Sequence, residues 1–400
     1  MKIVLHDFSG HPFQIQLSRE LVRRGHTVHH LYSLNIVGAK GNLVKTADDP
    51  DLLQIEGISI GHDINRYNFI KRLRDESLYG RALSRRVAEI KPDLLIASNT
   101  PLDSLFTLYS TCKRYDIQFV FWLQDILGIA AKNVLSKKLG VIGSLIGSYY
   151  TFREARILRS SDHVVAISPD FKSTLSTWNI PDNKLSIIHN WAPLNEIPAL
   201  ARDNEWSTEH QLNTKKVALY SGALGLKHNP QLLLDLAIHM QKYEPDQQLI
   251  VISEGHGADW LLQQQQTLNL SSLTLLPFQP FELLPEILAS ADVVLGILEP
   301  EAGEFCVPSK VLSYMCVARP IVLAALKRNL ASQLLINNNC GLVSDPKNSK
   351  EFVSIVTQLL HNPTKSHEMA SNARAFAEYN FDIDNIGNAF EDIIHSLKGT

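Results

Sequence analysis

The sequence contains few cysteines, four among 400 residues, and they form no pattern typical of a metal or disulfide site. They are far apart or at helical spacing, and no two have the CxxC spacing of a zinc knuckle: Cys112, Cys306, Cys316 and Cys340. We therefore expect reduced thiols and no metal site. Two aspartate-rich stretches, "DDPD" (48–51) and "DID" (382–384), are interpreted as loop solvation or helix capping.

Excess positive charge and long apolar runs are also missing. The formal net charge is −3, so there is no general surplus of lysine and arginine to neutralise nucleic-acid phosphates. No stretch reaches the ~18 consecutive apolar residues that a membrane-spanning helix needs. The start, "MKIVLHDFSG", reads as a β-strand rather than a signal peptide. We therefore expect a cytoplasmic protein that binds no nucleic acid.

One shorter apolar stretch, "LGVIGSLIGSYY" (139–150), comes nearest to that length. Basic residues flank it on both sides: Lys132, Lys137, Lys138, Arg153, Arg156 and Arg159. One interpretation is a buried helix with solvated ends. The other is that residues 135–159 contact an anionic membrane surface peripherally, on the inner face of the cytoplasmic membrane.

The dinucleotide-binding fingerprint is absent from the first strand-to-helix turn. The residues there, "FSGHPF" (8–13), lack the GxGxxG spacing, and no acidic residue follows the second strand about 20 residues later. A nicotinamide-dependent dehydrogenase is therefore disfavoured.

What the chain does contain is a regular alternation of short apolar strands and helix-spaced stretches, written twice. This alternation predicts an α/β fold with two Rossmann-like, doubly wound parallel sheets. We expect an N-terminal domain over residues 1–195, a linker over 196–214 and a second domain over 215–385. The last helix, 386–400, is predicted to pack back on the first domain. Ligands of such sheets bind at the carboxyl ends of the strands, so we expect the site in a cleft between the domains.

The second half contains a glycine-bearing turn between a strand and a helix, "YSGALGLKHNP" (220–230). Gly222 and Gly225 permit close approach of the backbone to a ligand, and Lys227 adds a positive charge, so the turn suits an anion. A tight turn with a solvated lysine is the alternative. Glu254 in "ISEGHG" and Phe278 in "LLPFQP" lie at two further strand exits, where a donor nucleotide or only surface turns are expected.

The stretch "FCVPSKVLSYMC" (305–316) predicts the start of a helix. Pro308 fits a helix entry, Ser309 is a plausible N-cap, and Lys310 falls in the first turn. A cation at a helix N-terminus opposes the helix dipole, so its presence is better explained if an anion binds there too. Alternatively, Lys310 extends into solvent.

These motifs, in their order and spacing, resemble the GT-B glycosyltransferases of the retaining family 4 type. The segments that resemble that family are "RRGHTV", "FVFWLQDILG", "VVAISP", "IIHNW", "YSGALG" and "VPSKVLSYMCVARPIV". The resemblance covers nearly the whole chain. It is greatest to bacterial enzymes of O-antigen, capsule and exopolysaccharide synthesis, including amino-sugar and fucosyl transferases.

The resemblance implies transfer of an N-acetylated or deoxy hexose, with retention, from a nucleotide-diphosphate sugar, preferably a UDP-sugar. The acceptor would be a hydroxyl of a lipid-linked saccharide, such as a polyprenyl-diphosphate sugar. Lys227 and Lys310 would stabilise the leaving diphosphate without a metal, and no cofactor is implied because the nucleotide sugar is a substrate.

The sequence departs from the family at its pair of glutamates, eight positions apart. The first, which holds sugar hydroxyls, falls on Phe305, and the second, which holds the ribose, falls on Ser313. Ser313 retains one hydroxyl for a hydrogen bond. Glu301 or Glu304 is a candidate replacement for the first glutamate, and Ser313 is expected to face the nucleotide rather than the core.

Residues of the first half are expected to line the acceptor side. Asp125 follows the strand "FVFWLQ" and is a candidate for acceptor activation, or alternatively an N-cap. The first strand-to-helix loop contributes His6, Ser9, Gly10 and His11, and Asn99 follows another strand. Two other functions remain open: a non-hydrolysing nucleotide-sugar epimerase of the same fold, and a non-catalytic subunit that has lost the glutamate pair.

Overall fold

The computed structural model describes residues 1–36, 40–64, 68–225, 228–298 and 309–398. The chain divides into two compact units. Unit 1 consists of Met1–Asn190 and Ile383–Thr400, and unit 2 is Trp191–Asp382.

Unit 1 contains a seven-stranded sheet in the order β3-β2-β1-β4-β5-β6-β7, with every neighbouring pair parallel. Its strands are β1 Lys2–Asp7, β2 Thr27–Ser33, β3 Leu53–Ile58, β4 Leu94–Ser98, β5 Gln118–Leu123, β6 His163–Ala166 and β7 Leu185–Ile187. Its helices are α1 Pro12–Arg23, α2 Phe69–Ile90, α3 Leu102–Arg114, α4 Leu127–Ser160, α5 Phe171–Thr177 and the C-terminal α14 Ile383–Lys398.

Unit 2 contains a six-stranded parallel sheet in the order β10-β9-β8-β11-β12-β13. Its strands are β8 Lys216–Ser221, β9 Gln247–Ile252, β10 Leu273–Leu276, β11 Val293–Ile297, β12 Ile321–Ala324 and β13 Gly341–Ser344. Its helices are α6 Glu205–Glu209, α7 Gln231–Tyr243, α8 His256–Leu268, α9 Leu284–Ala289, α10 Ser309–Cys316, α11 Leu330–Asn337, α12 Ser349–His361 and α13 Pro363–Asn380.

In both sheets, the chain first adds strands on one side of the first strand and then continues on its other side. In unit 1 the order turns between β1 and β4, and in unit 2 it turns between β8 and β11. In doubly wound sheets, ligands bind at the carboxyl edge beside such a switch point. The central strands are apolar and buried on both faces, as β4 and β11 illustrate.

The long element α4 is two helices joined at Gly140, whose φ of 57° and ψ of −131° are not helical. The two segments pack against each other as an antiparallel hairpin. A Cβ atom added to Gly147 would lie 2.3 Å from Lys132 Cα, so only glycine permits this approach of the two backbones. Within the described residues, no helix is long and apolar enough to cross a membrane.

The predicted α/β class with two doubly wound parallel sheets is confirmed. The sequence analysis did not predict β3 and β13, which are short and only half-buried at several positions. Residues 196–214, interpreted as a linker, lie within unit 2, where Trp206 is buried and Arg202 binds Asp292. The helix α14 lies in unit 1, and its Phe390 ring packs on Trp122 with ring centroids 5.0 Å apart.

Candidate functional site

The turn after β8 lies close to the start of α10. Gly222 has a φ of 137°, and a Cβ atom added there would lie 2.6 Å from Lys310 Nζ. A side chain at position 222 would therefore meet the lysine as well as strain the backbone. The two motifs are 88 residues apart in the sequence but lie side by side in the structure. The family resemblance implied this, because it places both motifs at one diphosphate.

Lys310 is enclosed rather than solvated. Its Nζ donates a hydrogen bond of 2.7 Å to the Tyr220 hydroxyl and lies 4.0 Å from the centre of the Tyr220 ring. Within the described part of the chain, no carboxylate forms an ion pair with it. The interpretation that this lysine extends into solvent is therefore wrong.

Burial lowers the pKa of Lys310 to about 7. A buried ammonium without a carboxylate costs free energy, and an anion at the site would remove that cost by restoring the lysine's charge. We name Tyr220, Gly222, Lys310 and Tyr314 the Lys310 cluster. It lies at the switch point of the sheet in unit 2, where β8 and β11 are neighbours.

Tyr314 fixes the frame of the Lys310 cluster. Its hydroxyl donates toward the carbonyls of Ser221, at 3.1 Å, and Leu295, at 3.2 Å, and accepts from the Ser221 N–H. It thereby ties α10 to the end of β8 and to the middle of β11. Neither tyrosine was singled out from the sequence, although Tyr314 directly follows Ser313 and Tyr220 lies two residues before Gly222.

Three other donor-side candidates lie around the same strand exits. The Phe278 N–H faces Glu254 Oε1 at 3.4 Å, so the loops after β9 and β10 meet. The Leu224 N–H donates to the Glu254 carbonyl at 3.3 Å, which connects the β8 turn to them. Among the described residues, nothing lies within 4 Å of a Cβ atom added to Gly225.

The helix α10 begins at Ser309, so this residue is helical rather than the cap that was predicted. Ser313 is half-buried, whereas Leu312 and Tyr314 on either side are buried. Ser313 is thus not a core residue. Five candidates lie outside the described residues: Lys227, Glu301, Glu304, Phe305 and Pro308.

In unit 1, the loop after β1 folds around a buried carboxylate, Asp7. The Ser9 N–H donates to Asp7 Oδ1 at 3.1 Å, and the His11 backbone N–H and ring Nδ1 also face the carboxylate, the ring nitrogen at 3.2 Å. With its amide nitrogen turned toward Asp7, Gln14 donates to both carboxylate oxygens, at 2.9 and 2.8 Å. Gly10 has a φ of 77° within this loop, and its carbonyl accepts from the Gly41 N–H.

Asn99 reaches the same histidine from the neighbouring strand. It follows β4, has the left-handed φ of 51°, and its side-chain nitrogen lies 3.3 Å from His11 Nδ1. We name Asp7, Ser9, His11, Gln14 and Asn99 the Asp7 cluster. It lies between β1 and β4, at the switch point of this sheet, and includes three predicted acceptor-side residues.

His6 lies below the Asp7 cluster and is a core histidine. Its ring is hydrogen-bonded to the Thr100 hydroxyl at 2.8 Å and to the Tyr79 hydroxyl at 3.0 Å. Burial lowers its pKa to about 3, so it is uncharged at neutral pH.

Asp125 is exposed directly after β5, and the structure assigns the helix cap differently. The N-cap position of α4 is Ile126, and the buried Glu154 instead accepts from the N–H groups of Leu127, at 3.0 Å, and Gly128, at 2.8 Å. Burial and the nearby charge of Asp125 raise the pKa of Glu154 to about 8. The alternative that Asp125 is the N-cap is therefore wrong. No sequence signal pointed to Glu154, because its partners are 26 and 27 residues away.

The tip of the α4 hairpin exposes apolar side chains. Val141 is 78% exposed, Ile142 67% and Leu145 68%. The interpretation of a buried helix is therefore wrong for this segment. Beside the hairpin, a pocket of about 270 Å³ is lined by Lys132, Arg159, Phe152 and Trp178, among others.

Comparisons with known proteins cover both units. The family described as "Glycosyltransferase Family 4" matches residues 14–196, and that described as "Glycosyl transferases group 1" matches 202–376. A protein of Escherichia coli (strain K12), assigned to colanic acid biosynthesis as the glycosyl transferase WcaI, is 23% identical over 322 residues. That alignment covers 77% of this chain and 74% of WcaI.

Two solved structures match over almost their whole length. The Anabaena protein Alr3699/HepE, in complex with UDP and glucose, has a TM-score of 0.72 at 17% identity, covering 99% of this chain and 100% of that one. WaaG, a glycosyltransferase involved in lipopolysaccharide biosynthesis, has a TM-score of 0.69 at 13% identity, covering 98% and 99%. At these identities, the likeness concerns the fold.

Proposed function

Because the chain belongs to the glycosyltransferases of the family 4 type and has their GT-B fold, we propose which transfer it catalyses. It moves a hexose, N-acetylated or deoxy, with retention from a nucleotide-diphosphate sugar to a hydroxyl of a saccharide acceptor in surface polysaccharide biosynthesis. The assignment of its relative WcaI to colanic acid biosynthesis supports the pathway class. The UDP and glucose in the HepE complex support a UDP-sugar donor.

The observation that carries this proposal is the half-buried Lys310, whose ammonium lies against Gly222 and the Tyr220 hydroxyl. In the reaction, the bond between the sugar and the diphosphate breaks and negative charge accumulates on the departing phosphate. A desolvated cation beside an open glycine turn stabilises that charge more strongly than one in water. Lys310 therefore serves as the electrophilic group for the leaving diphosphate, without a metal.

The nucleotide would extend from the Lys310 cluster along the strand exits. The loops of Glu254 and Phe278 meet beside the β8 turn and offer backbone groups and an aromatic face to a base. The half-buried Ser313 lies one helical turn beyond Lys310 on α10, where its hydroxyl would bind the ribose. Ser313 thereby takes over part of the role of the family's second glutamate.

The acceptor is a lipid-linked saccharide, and the α4 hairpin brings the enzyme to the bilayer. Its exposed apolar tip is adjacent to Lys137 and Lys138, both exposed, and the one acidic residue of α4 is the buried Glu154. An anionic lipid surface complements such a face, because it accepts both the apolar side chains and the positive charge.

The proposal is tested by calorimetry with UDP, UDP-glucose and UDP-N-acetylglucosamine, followed by turnover assays of the donors that bind, with and without saccharide acceptors. Lys310→Ala should weaken donor binding at least ~10-fold and lower kcat by about 100- to 1000-fold. Lys350→Ala is the matched control, since Ser349 and Lys350 also begin a helix but Lys350 is exposed.

Each alternative function predicts its own result in these assays. A donor converted to another nucleotide sugar without an acceptor would establish the epimerase. Failure of the wild-type protein to bind any nucleotide would favour the non-catalytic subunit. Equal binding and turnover by Lys310→Ala and the wild type would refute the assigned role of Lys310.

A further inference from the structure

We propose that the pocket between the α4 hairpin and α5 binds the phosphate headgroup of an anionic phospholipid, whose acyl part lies along the exposed apolar face of α4. This inference deepens the membrane contact that the proposed function includes, and it rests on that contact. The pocket lies within unit 1, and its lining residues belong to neither the Lys310 cluster nor the Asp7 cluster.

The pocket has a volume of about 270 Å³ and lies between helical segments that are distant in the sequence. The second helix of α4 contributes a row of residues at helical spacing: Ser148, Thr151, Phe152, Ala155 and Arg159. The first helix of α4 contributes Lys132, and the end of α5 contributes Thr177 and Trp178. A glycerophosphate headgroup suits this volume, since larger, drug-sized ligands occupy pockets of about 300–1,000 Å³.

The charge of the pocket favours an anion. Its described lining residues include two cations and no carboxylate. Lys132 and Arg159 reach the pocket from different helices, and neither forms an ion pair within the described part of the chain. The hydroxyls of Thr151 and Thr177 donate to carbonyls of their own helices, which leaves the Ser148 hydroxyl as a further donor. Two cations and a hydroxyl can bind a phosphate group through charge-assisted hydrogen bonds.

The packing of the hairpin holds the stem of Lys132. A Cβ atom added to Gly147 would lie 2.6 Å from Lys132 Cβ and 2.9 Å from its Cγ, so the lysine stem crosses the contact between the two helices. Lys132 is accordingly half-buried, whereas Lys137 and Lys138 nearer the tip are exposed. Because its stem is already ordered, Lys132 loses less side-chain entropy than a free surface lysine when its ammonium binds a ligand.

An exposed apolar stripe on the second helix of α4 connects the tip of the hairpin with the pocket. Ile142, Leu145, Tyr149 and Phe152 are each more than half exposed. Their spacing of three and four residues places them on one face of the helix, over ~15 Å at 1.5 Å per residue. Phe152 ends the stripe and also lines the pocket. An anion site that continues into an apolar surface fits a phospholipid rather than a free phosphate ion.

Trp178 bounds the pocket on the side of α5. It is the C-cap residue of that helix and is half-buried. Tryptophan is favoured at the headgroup level of a bilayer, because its ring is apolar and its N–H is polar. The same ring provides a fluorescent reporter within the proposed site.

Calorimetry on the intact chain tests the site with three probes: dihexanoylphosphatidylglycerol below its critical micelle concentration, glycerol 3-phosphate and inorganic phosphate. The wild type should bind the short-chain lipid at one site and more tightly than either soluble phosphate, because only the lipid also covers the apolar stripe. Lys132→Gln/Arg159→Gln should weaken lipid binding at least ~10-fold, since two charge-assisted hydrogen bonds are lost. The lipid should also change the tryptophan fluorescence of the wild type but not that of Trp178→Phe.

Arg156→Gln/Lys172→Gln is the matched control. It removes the same charge from the same two elements, α4 and α5, at exposed residues that do not line the pocket. This pair should bind the lipid like the wild type, whereas a diffuse attraction to positive charge would be weakened equally by both pairs of substitutions. Both variants should unfold at the temperature of the wild type, because the substituted side chains lie at the surface.

Three results would overturn the inference: no lipid binding by the wild type, equal lipid binding by Lys132→Gln/Arg159→Gln and the wild type, or inorganic phosphate bound as tightly as the lipid. The second would leave Arg159 as a cation that serves only the end of α4.

The outcome for the proposed function is measured separately. Lys132→Gln/Arg159→Gln should turn over donor and a soluble saccharide acceptor like the wild type, so failure of the lipid site leaves the transfer reaction and the role of Lys310 standing. If Lys310→Ala matches the wild type while the short-chain lipid still binds, the role of Lys310 fails and the lipid site stands.

Discussion

At the scale of single residues, the candidate site depends on groups whose charge burial has altered. Lys310 is held next to an aromatic ring and a glycine with no carboxylate beside it among the described residues. His11 and Asp7 form the opposite case, because the charge of each raises the pKa of His11 and lowers the pKa of Asp7, which favours the charged form of both. Shifted pKa values of this kind are typical of functional sites. Each shift also makes the stability of the protein depend on pH, which unfolding experiments can measure.

Lys310→Met should stabilise the ligand-free protein. The lysine has a pKa of about 7 in the folded protein, against an ordinary value of 10.5, so between these values the unfolded chain binds more protons and stability rises with pH. Below pH 7 the full cost of burying the charge remains. We expect the variant to gain on the order of 2–4 kcal/mol at pH 7 and less at pH 10.

Thermal unfolding at the two pH values, with Lys350→Met as the control, measures this difference. A melting temperature of Lys310→Met below that of the wild type at pH 7 would show that the lysine is stabilised by its surroundings and not held for a ligand.

At the scale of elements, the α4 hairpin depends on two glycines and on the apolar residues between them. Gly140 ends the first helix, Gly147 lets the second return against it, and the apolar residues between them lie at the tip. Glu154 binds the start of the first helix from the end of the second and so closes the hairpin. The glycine spacing thus lets the two helices pack closely, while the apolar side chains at the tip stay exposed.

Reversing the charge of the hairpin should weaken binding to vesicles. Lys137→Glu/Lys138→Glu is expected to lower partitioning onto vesicles with about 30% phosphatidylserine at least ~30-fold, at about 1 kcal/mol per basic residue removed. Val141→Ser/Ile142→Ser should weaken it as well, because the apolar contribution is lost. Sedimentation with vesicles measures both.

Arg81→Glu/Arg85→Glu, on the exposed side of α2, changes the net charge equally and should bind like the wild type. Unchanged binding of the hairpin variants would refute the membrane contact. Concentration-dependent dimers that the serine variants abolish would indicate instead that a second copy covers this face.

At the scale of the whole molecule, unit 1 is built from two separate parts of the chain. The last helix, α14, belongs to the same unit as the first strand, although 192 residues of unit 2 separate it from Asn190. His26 Nε2 lies 2.6 Å from Glu391 Oε1, and Arg24 donates to Asn388, so α14 is anchored at the turn between α1 and β2.

Phe390→Ala should destabilise unit 1 selectively. The ring is 1% exposed and packs on Trp122, so its removal is expected to cost about 3–5 kcal/mol. Hydrogen exchange should then increase in residues 1–190 and 383–398 but not in 191–382. Tyr379→Ala, at a ring that is 84% exposed, should change neither region. A uniform increase across both units would contradict their division at Asn190 and Asp382.

Much of the fold follows from local patterns. Continuous apolar strands flanked by helix-spaced stretches specify parallel sheets, because a strand buried on both faces must be apolar throughout. The same patterns predicted the strand exits that carry Gly222, Glu254, His11 and Asn99. What they did not predict were β3, β13 and the use of residues 196–214 within unit 2, where burial depends on neighbours distant in sequence.

By itself, the sequence determined which motifs could bind an anion and which family they resemble, since backbone freedom and charge at a strand exit are local properties. Tertiary structure alone decided how each residue is used. Lys310 is held against the Tyr220 hydroxyl and Gly222, and the His11 ring faces the buried Asp7 carboxylate. Burial and distance, which set pKa values and hydrogen bonds, arise only when segments far apart in the chain meet.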